Sequence, residues 1–327
     1  MNSYNFSWNE LAFANKSHVK DLNATFVLAP RHISEKRFID LVKQFLPTGN
    51  IIVGIANEPY IDGFYGQPQF ATLQLADVKN SQEKVNTSPS PNKIYTLKYN
   101  QKNIVHILNK LKFKKVILIN GSWERVFHSR PEYYYLAENN IKTYRLSPFV
   151  DETEAIEYAD NFASKNKFVL PKKSNSDFEV MDLVNQVAKY SFDNTFQLGV
   201  VLAKKQADKY TPIVTAHNKV VPYETYAWHT GPAREVNFSA PNDLNHYDTI
   251  HAEQLAIVQS QKQSLDLTNT TMFINVMPCP SCARILCETD ISEFVYSLDH
   301  SDGYAIDLLS KAGKKIRRLL TNERTTT

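Results

Sequence analysis

Cysteine is scarce in this chain: three in 327 residues, all between positions 279 and 287. A disulfide framework would scatter its cysteines, so the clustering points instead to metal chemistry in a reduced compartment, cytoplasmic by default. The opening segment MNSYNFSWNE has no basic stretch followed by an apolar run, so no secretory leader is expected. No apolar run approaches bilayer length, which sets aside a membrane-spanning protein or a membrane partner. A net charge of +3 is too small to argue for nucleic acid by itself. There is no G-x-G-x-x-G and no Walker lysine pattern, so neither a dinucleotide site of that kind nor a kinase is supported. No repeat of fixed period occurs. What is present is an ordinary globular composition, 43% hydrophobic and 22% charged, with enough chain for two domains.

The first half alternates strand and helix. Apolar runs at 25–30, 51–55, 93–98, 116–120 and 143–146 read as strands. Helical periodicity connects them, with Phe38, Leu41, Val42 and Phe45 on one face and Ile104, Ile107, Leu108 and Leu111 on another. Such alternation predicts a parallel sheet covered by helices, a Rossmann-like α/β domain over 1–165. The polar stretch 81–92, with two prolines, reads as an exposed loop. A basic, proline-interrupted linker at 166–177 separates this domain from a second at 178–327. That second part reads as helix 178–190, strands 198–203 and 213–216, and a long loop at 221–248. A helix from about Thr249, strand 272–276, a helix from Pro280, strand 293–297, helix 305–312 and strand 315–319 follow.

His251-Ala252-Glu253 and Pro278-Cys279-Pro280-Ser281-Cys282 match the H-x-E and P-C-x-x-C pattern of zinc nucleobase deaminases. Two thiolates and one imidazole make three protein ligands for a single catalytic Zn2+, leaving one tetrahedral position open. Pro280 suits the first position of a helix, which puts Cys279 at the N-cap and Cys282 one turn on, on the same face. The helix dipole and the metal both favour thiolates there. His251 also falls at a helix start. Glu253 is not needed as a ligand. Beside a water whose pKa zinc has lowered toward neutrality, it is placed to shuttle protons. Cys287 reads as a buried helix residue rather than a ligand.

From about Phe178 to Leu320 the chain resembles the cytidine deaminase superfamily, with deoxycytidylate (dCMP) deaminases the nearest in pattern. The resemblance rests on His251-Ala252-Glu253-Gln254-Leu255-Ala256-Ile257 and on Met277-Pro278-Cys279-Pro280-Ser281-Cys282-Ala283. The trailing runs 294–299 and 308–313 add to it. It implies a three-layer α/β/α domain with a mixed sheet. It also implies hydrolytic deamination of a cytosine nucleotide, dCMP to dUMP plus ammonia, and self-association into a homo-oligomer. By the same resemblance Asn218 would contact the sugar, Ala252 would line the substrate pocket, and His300 would stand near the base.

Two other readings share these residues. One is a deaminase acting on a base in tRNA or single-stranded DNA, for which Tyr223, Tyr226, Trp228 and Tyr247 could supply stacking surfaces. The other is a non-catalytic, zinc-stabilised scaffold, which would have no use for Glu253. Lys219 and Arg234 are candidate cations for a 5′-phosphate, with solvated loop charge as the alternative. In the first half, Gly121-Ser122-Trp123-Glu124 follows a strand where α/β sheets bind ligands, although an ordinary strand-to-helix turn is the favoured account. The basic end, 311–318, reads as the charged face of an edge strand.

Overall fold

The structure, a computed structural model, describes residues 23–111, 113–122, 131–171, 173–237, 239 and 246–320. The chain divides into two compact units: residues 1–162 with 225–246, and residues 163–224 with 247–327. The sequence division put 225–246 with the second domain, whereas the structure packs it with the first. The long loop at 221–248 also carries short helices rather than being structureless. Of the Gly121–Glu124 turn, Trp123 and Glu124 lie outside the described residues, as do Asn242 to Asn245 ahead of His251.

The first unit is built on five parallel strands: β1 (Ala24–Leu28), β2 (Asn50–Ala56), β3 (Ile94–Tyr99), β4 (Lys115–Ile119) and β5 (Lys142–Leu146). Their order is β3-β2-β1-β4-β5. β1 is buried along its whole length, as a strand covered on both faces must be. Val27, Ala29, Ile51, Val53, Ile117 and Ile119 pack on one side against Phe38, Leu41 and Phe45 of α1 (Glu35–Phe45). Ser34 caps α1, accepting from the Arg37 N–H at 3.1 Å. α2 (Leu75–Thr87) runs through part of the segment expected as a loop. Val78 and Ser81 face inward on it, so a narrow buried stripe holds a largely polar helix in place. The chain breaks only after Thr87, before Pro89 and Pro91. α3 (Ile104–Leu111), α4 (Pro131–Glu138) and α5 (Glu152–Lys165) complete the alternation.

The second unit opens with α6 (Asp177–Ala188), begun by a capping box in which Ser176 and Glu179 satisfy each other's backbone N–H. Its sheet comprises β6 (Gly199–Gln206), β7 (Lys209–His217), β10 (Thr270–Val276), β11 (Glu293–Leu298) and β12 (Lys315–Arg318). The order is β12-β11-β10-β6-β7, parallel across β10, β11 and β12 and antiparallel at β6 and β7. A separate two-residue ribbon pairs β8 (Lys219–Val220) with β9 (Thr249–Ile250). Between those two strands lie α7 (Tyr226–Thr230) and α8 (Ala233–Val236).

Strand alternation makes this sheet two-faced. Val201, Ala203, Phe273 and Val295 pack under Val180, Met181 and Val184 of α6. Val200, Leu202, Met272, Ile274 and Phe294 face the opposite layer. That layer is formed by α9 (Ala252–Lys262), α10 (Pro280–Cys287) and α11 (Tyr304–Lys311). This is the three-layer α/β/α arrangement expected. Gly199 allows α6 to sit close, since a Cβ there would stand 2.2 Å from the Val184 carbonyl oxygen. The basic end is engaged internally on edge strand β12: Arg317 pairs with Asp177 at 2.7 Å and with Glu293 at 3.5 Å, and the Lys314 ammonium donates to the Thr289 carbonyl. No described helix is long and apolar enough to cross a membrane.

Candidate metal centre and active site

Two helix N-termini converge at one edge of the second sheet. His251 is the N-cap of α9 and Cys279 the N-cap of α10, both with extended backbone, and Cys282 sits in the first turn of α10. Pro280 at the first helical position carries no N–H, so nothing competes with the cap. The Cys282 N–H points at the Cys279 sulfur, 3.5 Å away. The ends of β10 and β11 fix this corner, because the Met277 N–H donates to the Leu298 carbonyl at 2.7 Å.

His251 Nδ1 stands 3.6 Å from Cys279 Sγ and 3.3 Å from Cys282 Sγ, and all three ligand atoms lie within 4.8 Å of one another. A tetrahedral zinc with Zn–S near 2.3 Å and Zn–N near 2.0–2.1 Å sets sulfur and nitrogen about 3.6 Å apart. The donor types and spacings therefore fit such an ion. The electrostatics agree. Hydrogen bonding from Cys282 and His251 pulls the Cys279 thiol down to about 3, while the adjacent Cys279 thiolate and burial push Cys282 up. The same Cys279 sulfur holds the His251 pKa above its ordinary value. Cys279 is thus held as a thiolate, and a dication bound by the set would bring Cys282 to the thiolate form as well.

Glu253, in the first turn of α9, is 1% exposed, and neither carboxylate oxygen has a hydrogen-bond partner. Burial pushes its pKa up to about 7, with Cys279 adding to the rise and His251 opposing it. Burying a carboxyl group this way costs several kcal/mol unless something compensates it. Such a side chain, held beside three residues that could ligate a metal, makes Glu253 a candidate functional group. Ala252, between ligand and carboxylate, is fully buried.

The remaining candidates divide. Asn218 is buried at the end of β7, and its amide is spent inside the protein. Nδ2 donates to Asp193 Oδ2 (2.9 Å) and to the Phe196 carbonyl (2.7 Å), and Oδ1 accepts from the Leu198 N–H (2.9 Å). It therefore clamps the 191–198 loop. His300 is exposed after β11, its ring 6.2 Å from Phe196. Lys219 lies in β8, whereas Arg234 lies in α8 of the first unit, so the two candidate phosphate cations belong to different units. Of the candidate stacking aromatics, Tyr247 is 45% exposed and its ring meets His251 edge-on at 5.8 Å, while Trp228 is 1% exposed within the first unit. Cys287 is half-buried, its sulfur 3.8 Å from the Leu308 carbonyl oxygen, and takes no part in the cluster. Asp193 was not foreseen. It holds Asn218 and helps raise the His251 pKa, yet it stands far from the metal motifs in sequence and has no pattern of its own.

Comparison with known proteins converges on this region. Residues 174–298 match the family described as the cytidine and deoxycytidylate deaminase zinc-binding region. The matched segment contains His251, Glu253, Cys279 and Cys282. Over 128 residues the chain is 29% identical to an uncharacterized deaminase in the luxG 3′ region of Aliivibrio fischeri, covering 37% of this chain and 79% of that protein. Over 80 residues it is 29% identical to the deoxycytidylate deaminase of enterobacteria phage T4, covering 24% of this chain and 42% of the phage enzyme. The chain thus spans less than half the length of that phage relative. Among solved structures, the cyanophage S-TIM5 dCMP deaminase in complex with dCMP and dUMP aligns at 18% identity and a TM-score of 0.36, over 43% of this chain and 95% of that one.

Proposed function

We propose that the second unit is a zinc-dependent hydrolase that deaminates a cytosine nucleotide, most simply dCMP, to dUMP and ammonia. The carrying observation is the convergence of His251, Cys279 and Cys282 within 4.8 Å, beside a buried, unpartnered Glu253. When bound, zinc supplies Lewis acidity and an acidified water at neutral pH. The chain's own residues do the rest. His251, Cys279 and Cys282 hold the ion at two helix N-termini. Glu253, with a pKa near 7, takes a proton from the attacking water and gives it up again at the same pH. The water oxygen bonds to the ring carbon bearing the amine while Glu253 passes the water's first proton to the ring nitrogen; Glu253 then takes the second proton from the new hydroxyl and gives it to the amine, and the carbon–nitrogen bond breaks to release ammonia as the carbonyl forms. Tyr247 and the Phe196–His300 pair offer ring faces for a planar base. The match to deoxycytidylate deaminases supports a pyrimidine nucleotide as substrate, and Lys219 is the cation of this unit proposed for its phosphate.

Incubating the purified, zinc-loaded protein with dCMP, deoxycytidine and dCTP and measuring ammonia tests this directly. Release from dCMP in preference to the other two is the expected result. No release from any of the three overturns the reading.

A further inference from the structure

The 191–198 loop of the second unit lies at the same sheet edge as the metal residues. β6 starts at Gly199 and runs antiparallel to β10, so its first residues stand beside the last of β10, with Val200 opposite Ile274. Asn275 ties the loop to that strand end. Its Oδ1 accepts from the Gly199 N–H at 3.0 Å, and its Nδ2 donates to the Gln197 carbonyl at 3.1 Å. β10 then leads through Met277 and Pro278 into Cys279, the N-cap of α10. β7 ends at this edge as well, with His217 opposite Gly199 and Asn218 next in the chain.

Ser191, Asp193 and Gln197 spend their side chains on holding the loop in shape. Ser191 Oγ donates to the Asn218 carbonyl at 2.6 Å and accepts from the Asp193 N–H at 3.1 Å. Asp193 Oδ1 accepts from the Thr195 N–H at 2.7 Å, its Oδ2 accepts from Asn218 at 2.9 Å, and Gln197 Nε2 donates to the Ser191 carbonyl at 3.0 Å. Asn194 differs from all three. It is 8% exposed, yet its Nδ2 has no hydrogen-bond partner. An asparagine in a turn ordinarily bonds nearby backbone, and this Nδ2 makes no such bond. A buried donor left unmade is costly, so a partner brought in from outside would be well received there. The flanking residues face the working edge: Asp193 holds Asn218, and the Phe196 ring stands 6.2 Å from that of His300.

A nucleotide offers three polar features: a base edge, a sugar hydroxyl and a phosphate. The base edge belongs with Glu253, on α9. A phosphate is disfavoured next to Asp193, whose carboxylate would repel it. A neutral amide beside a carboxylate suits the remaining feature, a neutral hydroxyl. We infer that Asn194 bonds the free 3′-hydroxyl of the nucleotide, and that the site takes a mononucleotide rather than a base within a nucleic acid strand. Nδ2 donates to the hydroxyl oxygen. Within a strand that oxygen is esterified and brings a phosphate charge toward Asp193. The inference rests on the deaminase reading and narrows its substrate class.

The test uses the full-length, zinc-loaded protein, wild type and Asn194→Ala. Ammonia release is measured from dCMP, from 2′,3′-dideoxycytidine 5′-monophosphate and from deoxycytidine 3′,5′-bisphosphate, with zinc content measured alongside. Wild type is expected to lose about tenfold in kcat/KM when the 3′-hydroxyl is removed, the order of one neutral hydrogen bond, and more when it is phosphorylated. Asn194→Ala should lose about the same factor on dCMP and nothing further on the dideoxynucleotide, at unchanged zinc content, because both changes remove one and the same bond. Equal losses on dCMP and the dideoxynucleotide in the variant overturn the inference, since a merely structural residue would act on both alike. If Asn194→Ala does not fold, wild type decides: dCMP and the dideoxynucleotide turned over equally well overturns it, and a preference for dCMP supports it. Deamination of dCMP and the bisphosphate at equal rates leaves the deaminase reading standing and removes this inference. Deamination of none of the three removes the deaminase reading and this inference with it.

Discussion

Both units gather their polar residues at the carboxyl ends of parallel strands, and they use that edge in opposite ways. In the first, the edge between β1 and β4 is sealed by an indole stacked on a buried guanidinium. In the second, the edge beside β10 and β11 presents two thiols, an imidazole and a carboxylic acid that the protein itself leaves without a hydrogen-bond partner. A sheet of this kind supplies a position for chemistry, not the chemistry itself. What separates the two edges is the kind of group each gathers: an aromatic ring packed on a guanidinium in one, titratable and metal-ligating side chains in the other. Trp228 is enclosed by Arg31, Gly121, Phe70 and Tyr158, whereas Glu253 is a buried carboxylic acid beside two thiols and an imidazole.

The sharpest way to break this contrast is to remove the unsatisfied group. Glu253→Gln keeps the shape and drops the proton shuttle, so deamination should fall by about 10²–10⁴-fold, the range expected for a general acid/base. Zinc content, measured by metal analysis, should stay at one per chain. Retained turnover would remove Glu253 from the chemistry. Cys279→Ser attacks the other half of the site. Here zinc content itself should drop, and the melting temperature of the second unit should fall with it, because metal binding is coupled to folding.

The two glycines at close approaches offer a matched pair of somewhat smaller effect. Gly199→Ala drives a Cβ into the Val184 carbonyl and the Ala188 N–H, both helix backbone, with no side chain able to give way. About 3 kcal/mol of stability should be lost, at the upper end of ordinary overpacking costs. Gly121→Ala combines a left-handed backbone with a clash against the Trp228 ring. The backbone alone costs roughly 1–2 kcal/mol, and the ring must also move. Denaturant unfolding with tryptophan fluorescence separates the two cases, since only Gly121→Ala should shift the Trp228 emission. Equal spectral changes in both variants would mean that the indole does not report on the first unit alone.

How much of this was readable beforehand follows from how local each signal is. The clustering of His251, Cys279 and Cys282 was legible because their spacing carries their geometry: a proline at the first turn of a helix fixes where Cys279 and Cys282 point, and H-x-E puts His251 and Glu253 at one helix start. Strands such as Ile51–Ile55 were legible because burial on both faces forces an unbroken apolar run. Residues 81–87 were misread as a loop because α2 needs only Val78 and Ser81 inside, too sparse a stripe to show against a polar background. The destination of 225–246 was unreadable for a different reason. Trp228 pairs with Arg31, 197 positions earlier in the sequence, and nothing in the local pattern of either residue names the other. Asn218 sits between these extremes. Its position at the end of β7 was evident, but that its amide is committed to Asp193, Phe196 and Leu198 emerges only from the folded loop.

The smallest expected effect concerns the rim of the working edge, where Asp299 orders the turn that carries His300. Its carboxylate accepts from the Ser301 N–H (3.0 Å), the Ser301 hydroxyl (2.9 Å) and the Gly303 N–H (2.8 Å). The backbone bond to Ser301 is the largest cause of a pKa held below the ordinary Asp value. A group whose pKa is lowered on folding contributes stability that is fully present above its unfolded value, about 3.9, and lost as pH falls through the lower folded value. The turn is well solvated, so Asp299→Asn should cost less than about 1 kcal/mol near neutrality. The gap between wild type and variant should be constant from pH 8 to about pH 5 and close at more acid pH. A gap that widens on acidification would mean that the carboxylate is not what holds this turn, and that the exposed rim, unlike the buried cluster behind it, is kept in place by packing alone.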